Sequence, residues 1–194
     1  MTEVLIPADK PVFIDDAGSY TYGDLARRVD RFAHALDTLG IRMEERVLLG
    51  LHDSIDFPTA FLGCVKAGVV PVCVNTLLTA SDYEYMLRDS RARALIVSAP
   101  LLAAFAPSID RVPTLQHVIV SGTGTGGYRS FADLLSGSDR PFAAAATTAS
   151  PSVPRFLHAP GRAARTRSVS MSVAANAASS AKVSCRSSQL SPRC

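Results

Sequence analysis

The sequence predicts an α/β fold in which helices flank a largely parallel sheet, and three observations support this. Short apolar runs of strand length alternate with stretches of helical period, as in βαβ units with right-handed crossovers. One of these runs is apolar on both faces, as a buried parallel strand would be. Hydrophobic residues make up 47% of the 194 residues, which is enough to bury a core. The length fits one domain, or one domain with an appendage.

Two regions of different charge divide the chain. All 17 acidic residues lie at or before Asp139, whereas residues 140–194 carry eight of the 20 Lys and Arg and no acid. Such asymmetry is typical of a folded part followed by a tail. We therefore predict an α/β subdomain over residues 1–149 and a basic, Ser- and Ala-rich tail over residues 150–194. The tail lacks the apolar content to fold, so we expect disorder apart from a weak helical turn at residues 173–178.

The first elements are expected to be two short strands and a long helix. The strands, at residues 11–14 and 19–20, flank an Asp-Asp-Ala-Gly turn. Thr21 and Asp24 have the spacing of a capping box at a helix start. Gly40 supplies a left-handed stop. Between these ends, apolar residues recur four, three, four and three positions apart, which is a helical period: Leu25, Val29, Phe32, Leu36 and Leu39.

The rest of the subdomain continues this alternation. Strands are predicted at residues 46–51, 69–74, 94–98 and 116–120. Helices are predicted at residues 54–67, from a second capping box at Thr79 and Asp82 onward, and at residues 101–105 and 130–135. Gly68 is expected to end the first of these helices. These elements predict βαβ units around one sheet.

Several classes of protein are excluded by the sequence. Four cysteines in a chain of this size do not make a disulfide scaffold. Residues 1–10 have no basic region ahead of an apolar core, so we do not expect a signal peptide. The most apolar stretch, residues 57–78, contains Lys66, two prolines and two glycines and is a poor membrane span. We expect a cytoplasmic protein without a membrane partner. Because the basic tail lacks aromatic interleaving for base stacking, no nucleic-acid partner is expected either.

Three segments of the subdomain carry recognisable motifs. They are Tyr20-Thr-Tyr-Gly-Asp-Leu25, Gly63-Cys-Val-Lys-Ala-Gly-Val-Val-Pro-Val72, and Val74-Asn-Thr-Leu-Leu-Thr79 followed by Asp82-Tyr83 and Tyr85-Met-Leu-Arg-Asp-Ser90. The first two resemble the opening motif and the Lys-Ala-Gly core motif of the adenylate-forming acyl-CoA ligases, the AMP-dependent synthetases. The third is similar to the benzoate–CoA and 4-hydroxybenzoate–CoA ligase branch. The resemblance runs from about residue 12 to about residue 149.

This resemblance implies a chemistry and a set of cofactors. The family activates a carboxylic acid with ATP and Mg²⁺ to an acyl-adenylate and then transfers the acyl group to coenzyme A. An aromatic carboxylic acid is the substrate that the branch implies. The family's Gly/Ser/Thr-rich phosphate loop should follow soon after Ala149, whereas this sequence continues Ser150-Pro-Ser-Val-Pro-Arg155. Because neither that loop nor the later motifs are present, we assign no catalytic, cofactor-binding or metal-binding residue.

The expected function is that of a truncated N-terminal part of an aryl-CoA ligase of aromatic acid degradation. We expect it to be inactive by itself, and we expect none of ATP, Mg²⁺ and coenzyme A to bind productively to this chain. Two alternatives stay open: a non-catalytic interaction module that retains the subdomain, or a relative of fatty-acid or other acid–CoA ligases. In the parent fold the subdomain packs against a neighbour, so exposed apolar surface and self-association are expected.

Other patterns that suggest chemistry are better explained by structure. Gly122, Gly124 and Gly127 form a G-x-G-x-x-G pattern after a strand, but the next helix begins too late for a dinucleotide site. We predict a flexible loop there. The acidic pairs are expected in a turn and at a helix start, respectively: Asp15 with Asp16, and Asp53 with Asp56.

The histidines and cysteines show no metal-ligand spacing. Structural or solvent-exposed roles are expected for all four histidines: His34, His52, His117 and His158. Cys64 and Cys73 are predicted to be small core residues on a helix and a buried strand. Eight residues separate Cys185 from Cys194, as they separate Cys64 from Cys73, and we interpret this repeated spacing as coincidence.

Overall fold

The elements of the fold follow one another in the predicted alternation. The computed structural model describes residues 7–146, 172–174 and 182–184. The strands are β1 (Pro11–Asp15), β2 (Gly18–Thr21), β3 (Arg46–Gly50), β4 (Val70–Cys73), β5 (Ala94–Ser98), β6 (His117–Ser121), β7 (Arg129–Ser130), β8 (Ser172–Ala174) and β9 (Lys182–Ser184). The helices are α1 (Tyr22–Thr38), α2 (Asp56–Ala67), α3 (Ala80–Ser90), α4 (Leu102–Ile109, entered through a 3₁₀ turn at Ala99–Leu101) and α5 (Phe131–Leu134).

A five-stranded parallel sheet lies at the centre, with the strand order β4-β3-β5-β6-β7. Leu48 of β3 is in register with Val72 of β4 on one side and Leu95 of β5 on the other. β1 and β2 form a separate antiparallel hairpin. The predicted α/β class with a parallel sheet is therefore confirmed.

Each face of the sheet is covered by its own helices. On one face, α1, α2 and α5 enclose a core that includes Phe32, Leu49, Cys64, Ile96 and Phe131. On the other face, α3 and α4 pack on a second core: Leu48, Tyr83, Leu87, Leu95, Phe105 and Val120. Alternate residues of the central strands point to opposite faces, so both faces of β3 and β5 are apolar.

The predicted capping boxes of α1 and α3 and the predicted end of α2 are confirmed. The Thr21 N–H donates to the Asp24 carboxylate (2.9 Å) and the Asp24 N–H to the Thr21 hydroxyl oxygen (3.1 Å), which completes the capping box of α1. Thr79 and Asp82 do the same for α3. The Thr21 N–H lowers the pKa of Asp24. Gly68 ends α2 in the left-handed region, with φ 75°.

β4 differs from its prediction because it is the edge strand of the sheet, not a buried one. The Val70 and Val74 N–H groups donate to Glu45 and Leu49 carbonyl oxygens, so the backbone groups of residues 71 and 73 face the open edge. Pro71 has no N–H to offer a further strand there. The predicted core role of Cys73 is wrong for the same reason, since this residue is exposed.

Smaller differences concern element ends and the tail. α2 begins at Asp56 instead of residue 54, α4 extends to Ile109, and β7 was not expected. In the tail, β8 and β9 pair antiparallel with Val173 opposite Val183. The helical turn predicted at residues 173–178 is therefore wrong at residues 173 and 174, which lie in β8. β-branched residues such as Val173 and Val183 favour strands. The predicted disorder of the remaining tail and the predicted boundary at residue 149 lie outside the described residues and stay predictions.

The last described segment of the subdomain, residues 139–145, runs across α1 and α2 without regular secondary structure; we call it the exit segment. Its contacts are those of Asp139 with Arg31 (2.5 Å), the Arg140 carbonyl oxygen with His34 Nε2 (3.1 Å), the Phe142 N–H with Asp30 (3.1 Å) and the Ala145 N–H with the Lys66 carbonyl oxygen (2.8 Å). Asp30 also forms an ion pair with Lys66. The exit segment thus joins the two helices that it crosses.

Candidate functional site

The topology singles out one place for a site. The chain leaves β3 through α2 on one face, forms β4, and returns through α3 on the opposite face to form β5 on the other side of β3. In open α/β sheets, ligands bind outside the carboxyl ends of the strands at such a switch point. The candidate site is therefore the crevice between residues 51–53, after β3, and residues 98–99, at the end of β5. We call it the switch crevice.

A hydrogen bond connects the two sides of the switch crevice. The His52 N–H donates to the Ser98 hydroxyl oxygen at 2.9 Å. Ser98 is buried, whereas the His52 side chain is exposed. His52, for which the sequence predicted only a structural or solvent-exposed role, is the one of the described histidines that lies at the crevice. His34 and His117 lie elsewhere, and His158 is outside the described residues.

The glycine-rich loop after β6 lies beside the switch crevice. A Cβ on Gly122 would be 3.7 Å from the Ala99 Cβ, and one on Gly126 would be 3.2 Å from Leu102. Gly122 and Gly127 both have positive φ. The loop leads into β7 and not directly into a helix, unlike the strand–loop–helix arrangement of a dinucleotide site.

A partly buried polar cluster lies at this edge of the sheet and consists of Arg28, Asp56, Thr59 and Ser121; we call it the Asp56 cluster. Arg28 Nη2 lies 2.5 Å from Asp56 Oδ1, and the Ser121 hydroxyl donates to Asp56 Oδ2 at 2.6 Å. Arg28 Nε also donates to the Thr59 hydroxyl oxygen at 3.2 Å. The cluster joins α1, α2 and the end of β6. Each oxygen of the Asp56 carboxylate thus has a protein partner.

Asp15 links the β1–β2 hairpin to the same edge. Its carboxylate accepts hydrogen bonds from the N–H groups of Ala17 (2.9 Å), Gly18 (3.2 Å) and Ile55 (3.0 Å). The Ile55 N–H, at the start of α2, is the main cause that lowers the pKa of Asp15. Since the pKa is lowered on folding, this contact stabilises the fold above the unfolded pKa and is lost as the pH falls through the folded one. The predicted turn role of Asp15 thus extends to capping α2.

The polar side chains around the switch crevice stabilise the fold and do not form a set of reactive groups. Within the described residues, no three His, Cys, Asp or Glu side chains converge to hold a metal ion. Cys64 is buried among apolar side chains, and burial raises the pKa of its thiol. This burial agrees with the core role predicted for Cys64. Cys185 and Cys194 lie outside the described residues. In the same part of the chain, no helix is long and apolar enough to cross a membrane.

Sequence reasoning missed Arg28, Ser98 and Ser121. A signal was present for the two serines, because each is the polar residue that closes an apolar strand run: Ser98 ends β5 and Ser121 ends β6. In parallel sheets such positions meet at the carboxyl edge. Arg28 gave no such signal, since a cation on a helix is ordinarily solvated.

The Asp56 cluster can be tested by its effect on stability. Asp56→Ala is expected to lower the free energy of unfolding by about 1–3 kcal/mol, because Arg28 and Ser121 lose their acceptor in a partly buried place. The side chains of Arg28 and Asp56 are 24% and 19% exposed, which keeps the loss below that of a fully buried pair. Urea unfolding followed by circular dichroism measures it. Asp53→Ala, an exposed neighbour, is the matched control and should change stability by less than about 0.5 kcal/mol. Equal effects of the two variants would contradict the cluster's role.

Comparison with known proteins identifies the family of the chain. The family model described as AMP-binding enzyme matches residues 5–159. Benzoate–CoA ligase of Thauera aromatica is 55% identical over 139 residues, which are 71% of this chain and 26% of that protein. The 4-hydroxybenzoate–CoA/benzoate–CoA ligase of Rhodopseudomonas palustris (strain ATCC BAA-98 / CGA009) is 39% identical over 140 residues, 72% of this chain and 26% of that protein.

The solved structures give the same result. A benzoate CoA ligase from Burkholderia xenovorans LB400 superposes with a TM-score of 0.67 at 44% identity, over 73% of this chain and 28% of that chain. The chain thus spans about a quarter of the length of the relatives that it matches. The resemblance found in the sequence is confirmed: the chain belongs to the AMP-binding enzyme family, and the relatives that it matches include a benzoate–CoA ligase and a 4-hydroxybenzoate–CoA/benzoate–CoA ligase.

Proposed function

We propose that this chain provides the N-terminal α/β subdomain of an ATP-dependent aryl-CoA ligase. The reaction of such a ligase converts benzoate or a hydroxybenzoate, ATP and coenzyme A into the aryl-CoA thioester, AMP and diphosphate. The observation that carries the proposal is the 55% identity to a benzoate–CoA ligase over 139 residues. The family model matches residues 5–159, a range that includes the five-stranded sheet and its helices. The predicted cytoplasmic location stays a prediction.

Within that enzyme, we assign the described residues a scaffolding role. Asp53, the carboxylate within the switch crevice, is exposed, whereas Asp15 and Asp56 beside it are held by the Ile55 N–H and by Arg28 with Ser121. Among the described residues no three His, Cys, Asp or Glu side chains converge, so Mg²⁺, which the family relationship implies, lacks a set of ligands there.

We further propose that the 194 residues do not form an acyl-adenylate by themselves. Adenylyl transfer needs donors and cations that clamp the phosphates, and the sequence after Ala149 contains no glycine- and lysine-bearing phosphate loop. The sole glycine in residues 150–194 is Gly161. The chemistry would then require residues that this sequence does not contain.

Carboxylate-dependent ATP–pyrophosphate exchange tests this directly. We expect the 194-residue chain to give no exchange above a blank without acid, for benzoate, 4-hydroxybenzoate or a long-chain fatty acid. The complete Thauera aromatica benzoate–CoA ligase in the same assay is the positive control. Exchange that depends on an aromatic acid, from a preparation free of host ligases, would contradict the proposed inactivity. Exchange with the fatty acid alone would favour the fatty-acid alternative.

A chimera distinguishes the scaffolding role from a non-catalytic interaction module. Residues of this chain replace the matched 139 residues in the Thauera aromatica enzyme, and benzoyl-CoA formation is measured. If the subdomain is a ligase scaffold, we expect the chimera to form benzoyl-CoA. A chimera that is folded by circular dichroism and limited proteolysis yet forms none would contradict the scaffolding role and favour the interaction module.

A further inference from the structure

The Lys66-Ala-Gly68 motif, one of the segments that carry the family resemblance, lies where α2 passes into β4. This place is at the amino end of β4, whereas the switch crevice lies at the carboxyl ends of the strands. The candidate site therefore does not account for the motif. The exit segment, in contrast, reaches the motif directly.

Lys66 contributes twice to the attachment of the exit segment. Its Nζ pairs with Asp30 Oδ1, and the same carboxylate oxygen accepts the Phe142 N–H at 3.1 Å. The Lys66 carbonyl oxygen accepts the Ala145 N–H at 2.8 Å. The side chains of Lys66 and Asp30 are 25% and 17% exposed, so the ion pair is partly shielded from water. One residue of the motif thus supports the hydrogen bonds of both Phe142 and Ala145.

Gly68 provides the room for the exit segment. It has φ 75°, and a Cβ there would lie 2.8 Å from the Ala145 Cβ, which is closer than two carbon atoms can pack. Gly40, just after α1, has almost the same backbone, with φ 72°, but a Cβ on Gly40 would meet no atom of the described residues within 4 Å. The left-handed backbone explains glycine at both positions. At Gly68 the missing side chain also admits the exit segment.

The two hydrogen bonds of the exit segment are expected to form together. Ala143 and Ala144 lie between Phe142 and Ala145, and both are exposed. Fixing the backbone of one residue costs about as much free energy as a single hydrogen bond contributes. Neither bond alone therefore offsets the ordering of these four residues. The contact between the Phe142 and His34 rings, 5.0 Å between centroids, adds to the attachment.

We propose that the Lys66-Ala-Gly68 motif is the docking site of the exit segment, and that this segment docks and is released as one unit. Lys66 supports both hydrogen bonds, and Gly68 leaves room for the Ala145 methyl group. The motif thereby fixes the course of the chain as it leaves the sheet and its helices. This proposal does not depend on the proposed ligase function.

Hydrogen exchange of single amides in the full 194-residue chain, followed by NMR, tests the docking site. Gly68→Ala should raise the exchange rates of the Phe142 and Ala145 amides about tenfold or more above those in Gly40→Ala. Both variants place alanine in a left-handed backbone, but the first also displaces Ala145. Amides of β5 report opening of the whole fold and serve as the internal reference. Equal exchange of the exit segment in the two variants would overturn the proposal.

A compensating substitution identifies the contact that matters. In an Ala145→Gly background, Gly68→Ala should raise the exchange rate of the Phe142 amide far less than it does in the wild-type chain, because the methyl group that it meets is gone. Circular dichroism checks that all variants are folded. If Gly68→Ala had the same effect in both backgrounds, the room that Gly68 leaves for Ala145 would not be the cause, and the proposed docking site would be wrong.

Asp30→Ala tests whether the exit segment is released as one unit. The Asp30 carboxylate bonds to the Phe142 N–H, whereas the Ala145 N–H bonds to the Lys66 carbonyl oxygen. We nevertheless expect the exchange rates of both amides to rise by a similar factor. Asp37→Ala is the matched control, an exposed acid two turns further along α1, and should leave both rates unchanged. Faster exchange at Phe142 alone would contradict release as one unit, and no change at either amide would contradict the docking site.

Discussion

Replacing Phe32 by alanine should lower the free energy of unfolding by about 3–5 kcal/mol. Phe32 is fully buried and stacks on Phe131 with ring centroids 5.3 Å apart. It also fills the space that Gly63 leaves on α2, where a Cβ would lie only 2.5 Å from the ring. Because Gly63 has no side chain that could fill the space, Phe32→Ala leaves a cavity between α1 and α2. Urea unfolding at one fixed protein concentration measures the loss.

The control for Phe32 is an aromatic residue at the surface. Tyr128 is 37% exposed, so Tyr128→Ala should cost clearly less, about 1 kcal/mol or below. If Phe32→Ala proved no more costly than Tyr128→Ala, the contact between α1 and α2 would not be the main packing contact on that face of the sheet.

An effect of similar size is expected on the opposite face. Tyr83 is fully buried against Phe105, with ring centroids 4.0 Å apart, and its hydroxyl donates to the Asn75 carbonyl oxygen at 2.9 Å. Tyr83→Ala should therefore lower the free energy of unfolding by about 3–5 kcal/mol. Tyr83→Phe keeps the ring and removes the hydrogen bond, so it should cost about 1 kcal/mol. Thermal and urea unfolding measure both.

Tyr85 provides a matched control two residues away. It lies on the same helix but is 67% exposed, and Tyr85→Ala should change stability by less than about 0.5 kcal/mol. A Tyr83→Phe variant as unstable as Tyr83→Ala would show that the hydroxyl, and not the stacked ring, provides the stability.

The features predicted correctly from sequence are those with local causes. The capping box at Thr21 needs only Asp24 three residues later, and the end of α2 needs only a residue, Gly68, that accepts a left-handed backbone. The bounds predicted for β5 agree with the structure because four consecutive apolar residues, Ala94 to Val97, are closed by the polar Ser98. The family was found from motifs that are each continuous in sequence.

The features missed depend on distant partners. The apolar run of β4 resembles a central strand, and only the strand order shows that it lies at the edge. Asp15 contacts the Ile55 N–H across 40 residues, and Ser121 contacts Asp56 across 65. No spacing rule joins residues so far apart. For the candidate site, the sequence does not distinguish His52 from the other three histidines. Only the topology of the sheet relates His52 to Ser98.

The exit segment has a consequence for how the chain is made. Phe142 bonds to Asp30, 112 residues earlier. At a synthesis rate of about 5–20 residues per second, the ribosome needs roughly 6 to 22 s to deliver the partner of Asp30 after Asp30 itself. During that interval α1 and α2 can have left the ribosome without the segment that crosses them. During synthesis α1 therefore lacks the exit segment until nearly the whole subdomain has been made, and a pause in translation before codon 142 would lengthen that interval.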